Sequence, residues 1–364
     1  MSQRPRAMIP SKPTLQLLVR GLILATIIVL CAGAGNFLSQ RAMAAPDKSA
    51  SAADPPCDRA CLDGFVDQYL AALVTHDPSH LPLAQGAKTT ETGQLVPPGE
   101  GMWLSLDQIG IYRVRFDDPA AGEAGIIALT DEHGLPGVLA LRLKIQERKI
   151  SEIESIIVRQ DIQGQGGMLM TATMFAVTPI APLDRKWFLL PDPVLLTAIA
   201  PAERTPREKM IAAAGSYFDG LEKSSSAGVP IDDSCNRRDN GLQTTSNPNP
   251  SPIDPAFPSF KIFGLECAAQ LDSHFYSVIS KVRGRRYPIV DEERGLLYAV
   301  LMFDHPGDKG TVDVPGVGAV SVPAAYRSPS SFIVPVIFKI RGGKILRIET
   351  LERAVPYGMP SGWN

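Results

Sequence analysis

Histidine is scarce in this chain, with 5 in 364 residues, and tryptophan is scarcer, with 3. No histidines and cysteines stand at zinc-ligand spacing, and neither a glycine-rich phosphate loop nor a nucleophile-elbow motif occurs. Metal centres and nucleotide cradles therefore have no support, and no cofactor is expected. A basic excess is also missing, since 36 Lys+Arg stand against 38 Asp+Glu. That balance argues against a nucleic-acid partner. A redox Cys-x-x-Cys is absent too, because Cys57 and Cys61 are spaced one residue too far apart.

What the chain does have is a repeat. Leu143 to Arg159 is LKIQERKISEIESIIVR, and Phe338 to Ala354 is FKIRGGKILRIETLERA. Without gaps, Lys144-Ile145 meets Lys339-Ile340, and Lys149-Ile150 meets Lys344-Ile345. Ile153-Glu154 then meets Ile348-Glu349. Each copy has alternating apolar residues on either side of a polar turn, the pattern of a hairpin with one buried face. Upstream of each lies a helix-like segment with a central tyrosine, Tyr69 or Tyr217. The chain reads as a duplicated α+β unit, long enough for each half to bury its own core.

Arg4, Arg6, Lys12 and Arg20 precede the apolar run Gly21 to Leu38, and Ala42-Met43-Ala44 offers a cleavage pattern. Residues 1–44 are therefore expected to be a signal peptide for export, periplasmic or secreted. An uncleaved membrane anchor is disfavoured by Gly33, Gly35 and Asn36 in the run. Residues 45–56 read as a flexible leader. An oxidising compartment makes disulfides the natural use of Cys57, Cys61, Cys235 and Cys267. Cys235 with Cys267 would close a long polar excursion and contribute about 3 kcal/mol. Cys57 and Cys61 could bridge where the chain enters a helix but not inside one, and their pairing stays open.

The first unit, residues 57–177, is expected to hold a helix from Asp58 to Thr75 and a short one over Met102 to Leu106. Strands are expected at Ile111 to Phe116, Gly125 to Thr130, Gly137 to Ile145 and Lys149 to Arg159, an antiparallel meander. Residues 178–204 are expected to be a proline-rich connector, docked through Trp187 and Phe188. The second unit, residues 205–364, is expected to start with a helix over Pro206 to Ser224 capped by Thr205. A polar loop over Asp232 to Phe260 follows, then a helix over Leu265 to Ser280. Strands are expected at Arg286 to Val290, Leu296 to Phe303, Phe332 to Ile340 and Lys344 to Val355. A mobile loop is expected around Pro306 to Gly310.

A helix followed by a long bent antiparallel sheet resembles the nuclear transport factor 2-like plan shared by ketosteroid isomerase and the SnoaL-like cyclases. More closely, CDRACL (Cys57 to Leu62), TTETGQLVPPGEGMW (Thr89 to Trp103) and SYFDGL (Ser216 to Leu221) resemble an uncharacterised two-lobed secreted family of bacteria and fungi. CNRRDNG (Cys235 to Gly241), RRYPIVDEERG (Arg285 to Gly295) and PYGMPSGW (Pro356 to Trp363) carry the same resemblance. It implies two tandem cone-shaped units, each a helix packed in a curved antiparallel sheet. It also implies pairing of Cys235 with a cysteine at the place of Cys267.

A cone of this kind suits a small organic ligand or substrate, handled by cofactor-free acid–base chemistry of a lyase, isomerase or hydrolase type. No family's catalytic pattern carries over residue by residue, and fold alone names no reaction. By residue type, His274 and His305 are the candidate bases and Tyr217 a candidate donor. Arg237, Arg238, Asn240 and Arg286 are the candidate ligand contacts, since adjacent arginines can hold a carboxylate or phosphate. The plainer alternatives are a turn at Asn240-Gly241, arginines paired with Asp291, Glu292 and Glu293, and a non-catalytic binding or interaction module. PYGMPSGW would close a cone mouth or staple one unit to the other. Oligomeric state is not legible.

Overall fold

The computed structural model describes residues 56–159, 190–248, 258–322 and 326–363. The expected leader, signal segment and Trp187-Phe188 anchor lie outside them. Among the described residues no helix is long and apolar enough to cross a membrane.

Helix α1 (Arg59–Val74) starts where Asp58 accepts a hydrogen bond from the Cys61 amide, and its buried face is Leu62, Val66, Tyr69, Leu70 and Leu73. The Cys57–Cys61 disulfide forms at this entry, with Cys57 before the helix and Cys61 in its first turn. Strands β1 (Leu83–Glu91) and β2 (Gln94–Leu95) come next. The meander β3 (Gln108–Asp118), β4 (Glu123–Glu132), β5 (Leu135–Gln146) and β6 (Lys149–Arg159) then completes a six-stranded sheet in the order β2-β1-β6-β5-β4-β3.

After the single turn α2 (Pro193–Leu196), the plan repeats. Helix α3 (Arg207–Lys223) precedes β7 (Ile231–Asp239) and β8 (Leu242–Gln243), then the short helix α4 (Cys267–Leu271). Strands β9 (Lys281–Asp291), β10 (Leu296–His305), β13 (Ser330–Arg341) and β14 (Lys344–Thr350) close a sheet in the order β8-β7-β14-β13-β10-β9. The hairpin β11 (Thr311–Val314) and β12 (Gly318–Ser321) stands apart from it, and β15 (Arg353–Val355) pairs with β13.

The repetition extends to register. In the first hairpin the ladder slips between Lys144 and Ile145, and in the second between Lys339 and Ile340. These are the aligned positions of the sequence repeat. In each sheet one strand runs parallel, β1 to β6 and β7 to β14. Neither parallel strand was expected. β1 and β7 are polar and irregularly buried, so they lack the alternation that betrays a strand. The expected loop over Asp232 to Phe260 accordingly begins as a strand. The expected helix over Leu265 to Ser280 is broken, because His274 takes a left-handed conformation at φ 59°. Thr205 is not the cap of α3: Pro206 holds that place without a side-chain bond, and the Thr205 hydroxyl accepts from the Gly343 amide at 2.9 Å.

Alternation along the strands splits the core into three. One set, including Leu139, Leu141, Leu143, Ile150, Ile153 and Ile157, packs on α1. A second, including Val334, Val336, Phe338 and Ile348, packs on α3. The third lies between the sheets, where Phe116 stacks on Tyr298 with centroids 4.8 Å apart and Val114, Val138, Ile156, Val300 and Ile337 are buried. The helices thus cover the outer faces and the sheets meet in the middle. The described residues all belong to one compact unit.

Charged residues are buried in that middle layer. Arg142 binds Glu154 at 3.0 Å, Glu123 at 3.0 Å and Glu152 at 2.7 Å. From the opposite sheet Arg286 grips the same Glu154 with two bonds of 2.5 and 3.1 Å. Reciprocally, Tyr112 of β3 donates to Glu349 of β14. At another point Arg59 bridges Asp291 at 2.7 Å and Asp117 at 2.9 Å. The C-terminal segment is a staple. The Trp363 indole donates to Thr90 Oγ1 at 2.8 Å, and its ring lies 4.2 Å from the Lys88 ammonium and 4.6 Å from the Arg142 guanidinium. Gly362, at φ 82°, lies so close to Gly93 that a Cβ there would stand 2.6 Å from the Gly93 carbonyl oxygen.

Removing Glu154 leaves Arg142, with a side chain only 2% exposed, short of its central partner. We expect Glu154→Ala to cost about 3–5 kcal/mol in chemical denaturation. A loss below about 1 kcal/mol would mean that Glu123, Glu152 and Trp363 suffice to hold both arginines.

Candidate functional site

Period-two geometry separates the two arginines of CNRRDNG. Along β7, Cys235, Arg237 and Asp239 are buried, whereas Asn236 and Arg238 face the other way. Arg237 points inward beneath α3, and Arg238 points to the opposite face of its sheet, 3.8 Å from Glu349 of the neighbouring strand β14. They do not form one anion clamp.

Inside the second unit, Arg237 is the hub of a buried polar cluster. Its Nε donates to Asp239 at 2.8 Å, a terminal nitrogen donates to the Tyr276 hydroxyl, and the other lies 3.7 Å from Glu352. Tyr276 donates in turn to Gln270 Oε1 at 2.5 Å. Tyr326 donates to Glu352 at 3.2 Å, and Thr244 to Asp239 at 2.7 Å. The Cys235–Cys267 disulfide ties β7 to α4, so that Gln270 and Tyr276 are brought against Arg237. Tyr217 joins the cluster from α3, edge-on to Phe338 at 5.5 Å.

Glu352 occupies the break between β14 and β15. Asn240, at φ 47° in the expected turn, fixes it there: its side-chain Oδ1 accepts from the Glu352 backbone amide at 2.8 Å, and its side-chain Nδ2 donates to the Glu352 backbone carbonyl at 3.2 Å. Asn240 is thus a positioning residue. Burial, with Asp239 adding its charge, pushes the Glu352 carboxyl up to about 7 against the opposing pull of Arg237. Burial also pushes the Tyr217 hydroxyl up to about 12 and holds those of Tyr276 and Tyr326 well above the usual phenol range.

His305 ends β10 on the same inner side. It stacks on Tyr326 at 4.6 Å and meets Phe332 edge-on at 4.8 Å. Burial pushes its pKa down to about 3, so the imidazole is neutral at physiological pH. Its Nδ1 and the Ser330 hydroxyl, on residues opposite each other in the ladder, are buried with no hydrogen-bond partner among the described residues.

Other expected contributors lie elsewhere. His274 is exposed at the left-handed kink, and Arg286 is engaged with Glu154 between the sheets. The acidic run does not serve the arginines as expected. Arg285 pairs with Asp219 and Glu222 of α3, at 2.5 and 2.7 Å, while Asp291 is held by Arg59. Sequence reasoning missed Tyr326 and Glu352; Asp239 belongs to the CNRRDNG cluster, and the Cys235–Cys267 bridge brings Tyr276 to it. For Glu352 a signal existed: the repeat sets it against Ile157, an ordinary core residue of the first unit.

The two units diverge at the same end. The β4–β5 and β10–β13 ladders each begin at an aligned pair and run ten residues, to Glu132↔Leu135 and His305↔Ser330. The first is closed by His133 and Gly134 alone; the second carries residues 306–329, including β11, β12 and Tyr326.

Residues 203–351 match the family model described as Domain of unknown function (DUF8021). That span contains Arg237, Tyr276, His305 and Tyr326 and stops one residue short of Glu352. No curated protein matches the chain. A crystal structure of a de novo designed protein with a curved β-sheet aligns over 41% of this chain and 88% of its own, at 11% identity and a TM-score of 0.22.

The sign of the Glu352 effect on stability follows from its raised value. It contributes stability that is present below its ordinary range and lost as pH rises through about 7. His305, pushed below its ordinary value, acts oppositely, and its contribution is lost as pH falls from about 6.5 toward 3. The two overlap in wild type, so comparison with a variant is needed. The melting-temperature difference between wild type and Glu352→Gln should shift in favour of wild type as pH falls from about 8 to about 5. A pH-independent difference would show Glu352 charged throughout.

Proposed function

We propose that this is an exported protein of two cone-shaped, nuclear transport factor 2-like units, and that the inside of the second unit receives a small organic molecule. The observation that carries the reading is the gathering of Arg237, Tyr217, Tyr276, Tyr326 and Glu352 on one inner face. At the aligned place of Glu352 the first unit has only an isoleucine. A carboxyl poised near neutrality, with a tyrosine donating to it and a guanidinium 3.7 Å away, can take up and release a proton without leaving its hydrogen bonds. That suits proton transfer on a bound molecule, as in a lyase, isomerase or hydrolase reaction. The unpartnered His305 Nδ1 and Ser330 hydroxyl would be the groups left for the ligand itself.

Export is supported by the N-terminal cleavage pattern and by two disulfides in the described chain. The rival, a non-catalytic module meeting a partner through an open arginine face, has less to rest on. Arg237 is 2% exposed, and Arg286 is held between the sheets.

Small acids, phenolics and sugars, screened by thermal shift and followed by turnover assays, test the proposal. Hits should bind about tenfold more weakly to Tyr326→Phe. They should bind Glu352→Gln yet fail to turn over. Equal behaviour of both variants and wild type towards every hit would sink this assignment.

A further inference from the structure

We infer that Cys57–Cys61 is an exchangeable disulfide, a redox site open to dithiols, and that its reduction releases one of two arginine clamps joining the units. Arg59 and Arg207 open the two long helices, each at the same distance ahead of its tyrosine, Tyr69 or Tyr217. Each reaches the last aspartate of an edge strand in the other unit. Arg59 grips Asp291 of β9 with bonds of 2.7 and 2.8 Å, and Arg207 donates to Asp118 of β3. The same aspartates accept backbone amides across the junction, Asp291 from Asp117 at 3.3 Å and Asp118 from Val290 at 3.0 Å. The side chains of Asp291 and Asp118 are 0% and 2% exposed, so both depend on the guanidinium brought to them.

The clamps differ in what fixes the arginine. Pro206, with its locked φ, precedes Arg207, whereas Arg59 lies inside the short loop closed by Cys57 and Cys61. Arg59 also carries more, since it bonds Asp117 at 2.9 Å and Glu293 at 3.2 Å. Opening the bridge leaves the first turn of α1 with its Asp58 cap but without the covalent tie to the residue before the helix. Helix ends fray from the outside inwards, and Arg59 is the first helical residue.

Three features make this bridge, rather than Cys235–Cys267, the one that exchanges. Cys57 and Cys61 are both part-exposed, whereas Cys235 and Cys267 are each 4% exposed. A loop this short returns little chain entropy when opened, so the fold survives its loss. Cys61 sits in the first helical turn with the Arg148 guanidinium 3.5 Å from its sulfur, surroundings that favour it as the leaving thiolate. A thiolate of the dithiol attacks Cys57 Sγ, the Cys57–Cys61 bond breaks, and Cys61 departs with the electron pair. The second thiol of the donor then displaces Cys57 from the mixed disulfide. The donor ends as its own disulfide, and its two protons end on Cys57 and Cys61.

Treatment of the protein with dithiothreitol, then alkylation with iodoacetamide and peptide mass spectrometry, tests the site. Cys57 and Cys61 should be alkylated about tenfold faster than Cys235 and Cys267, or more. With only the first bridge open, NMR should show the Asp117 amide exchanging its hydrogen about tenfold faster. The Val290 amide, held on the Arg207 side, should change by less than about twofold. The double variant Cys57→Ser, Cys61→Ser should show the fast Asp117 exchange without reductant, and Arg59→Gln should show it with the bridge intact. The reductant arm uses wild-type protein and decides the matter even if a variant folds poorly. Alkylation of both pairs at one rate, an Asp117 amide indifferent to reduction, or equal acceleration at Asp117 and Val290 would make this bridge a structural staple only. None of these readouts involves Tyr326 or Glu352, so their failure leaves the reading of the second unit's interior standing.

Discussion

One carboxylate from each copy of the repeat, buried between the sheets, is the constraint from which the arrangement of this protein follows. Glu154 and Glu349 come next to Ile153 and Ile348, whose side chains go the opposite way into their own units. Alternation therefore obliges the glutamates to face the other sheet. A carboxylate there is tolerated only if the opposite sheet brings a partner to it. β9 does so with Arg286, and β3 with Tyr112. The apolar middle layer supplies the bulk of the burial between the sheets. The two charged junctions limit how the sheets can be set against each other, because a slip in register would leave a desolvated charge alone.

Duplication supplies an internal reference. Strand order, the parallel strand and the hairpin bulges are common to both units, so these features belong to the shared plan. What differs is where a specific role would be sought. Where the first sheet has the core residue Ile157 and, by register, Thr89, the second has Glu352 and Arg237. A two-residue turn has become a segment that returns Tyr326 to stack on His305. Several costly polar burials at one place are hard to account for by packing alone, since apolar residues of like volume serve stability as well or better.

The hairpins, both long helices and the meander strands were legible because their apolar periods are regular and their breaks carry proline, glycine or a polar turn. β1 and β7 were not. Their partners and neighbouring loops bury them irregularly, so LAQGAKTTE and IDDSCNRRD read as loop. The candidate site was half legible. Arg237, Tyr217 and His305 stood out by residue type, whereas Tyr276, Tyr326 and Glu352 acquire their roles from neighbours distant in the chain.

By itself the amino-acid order determined that a hairpin recurs, where the two long helices lie and where the meander strands turn, because these depend on local period and on proline, glycine and polar breaks. Tertiary structure alone decided that the sheets meet face to face, that Arg237 and Arg238 part company across β7, and that Glu352 is held near neutrality. Those outcomes depend on which groups are desolvated together, and desolvation is a property of the packed molecule rather than of any segment.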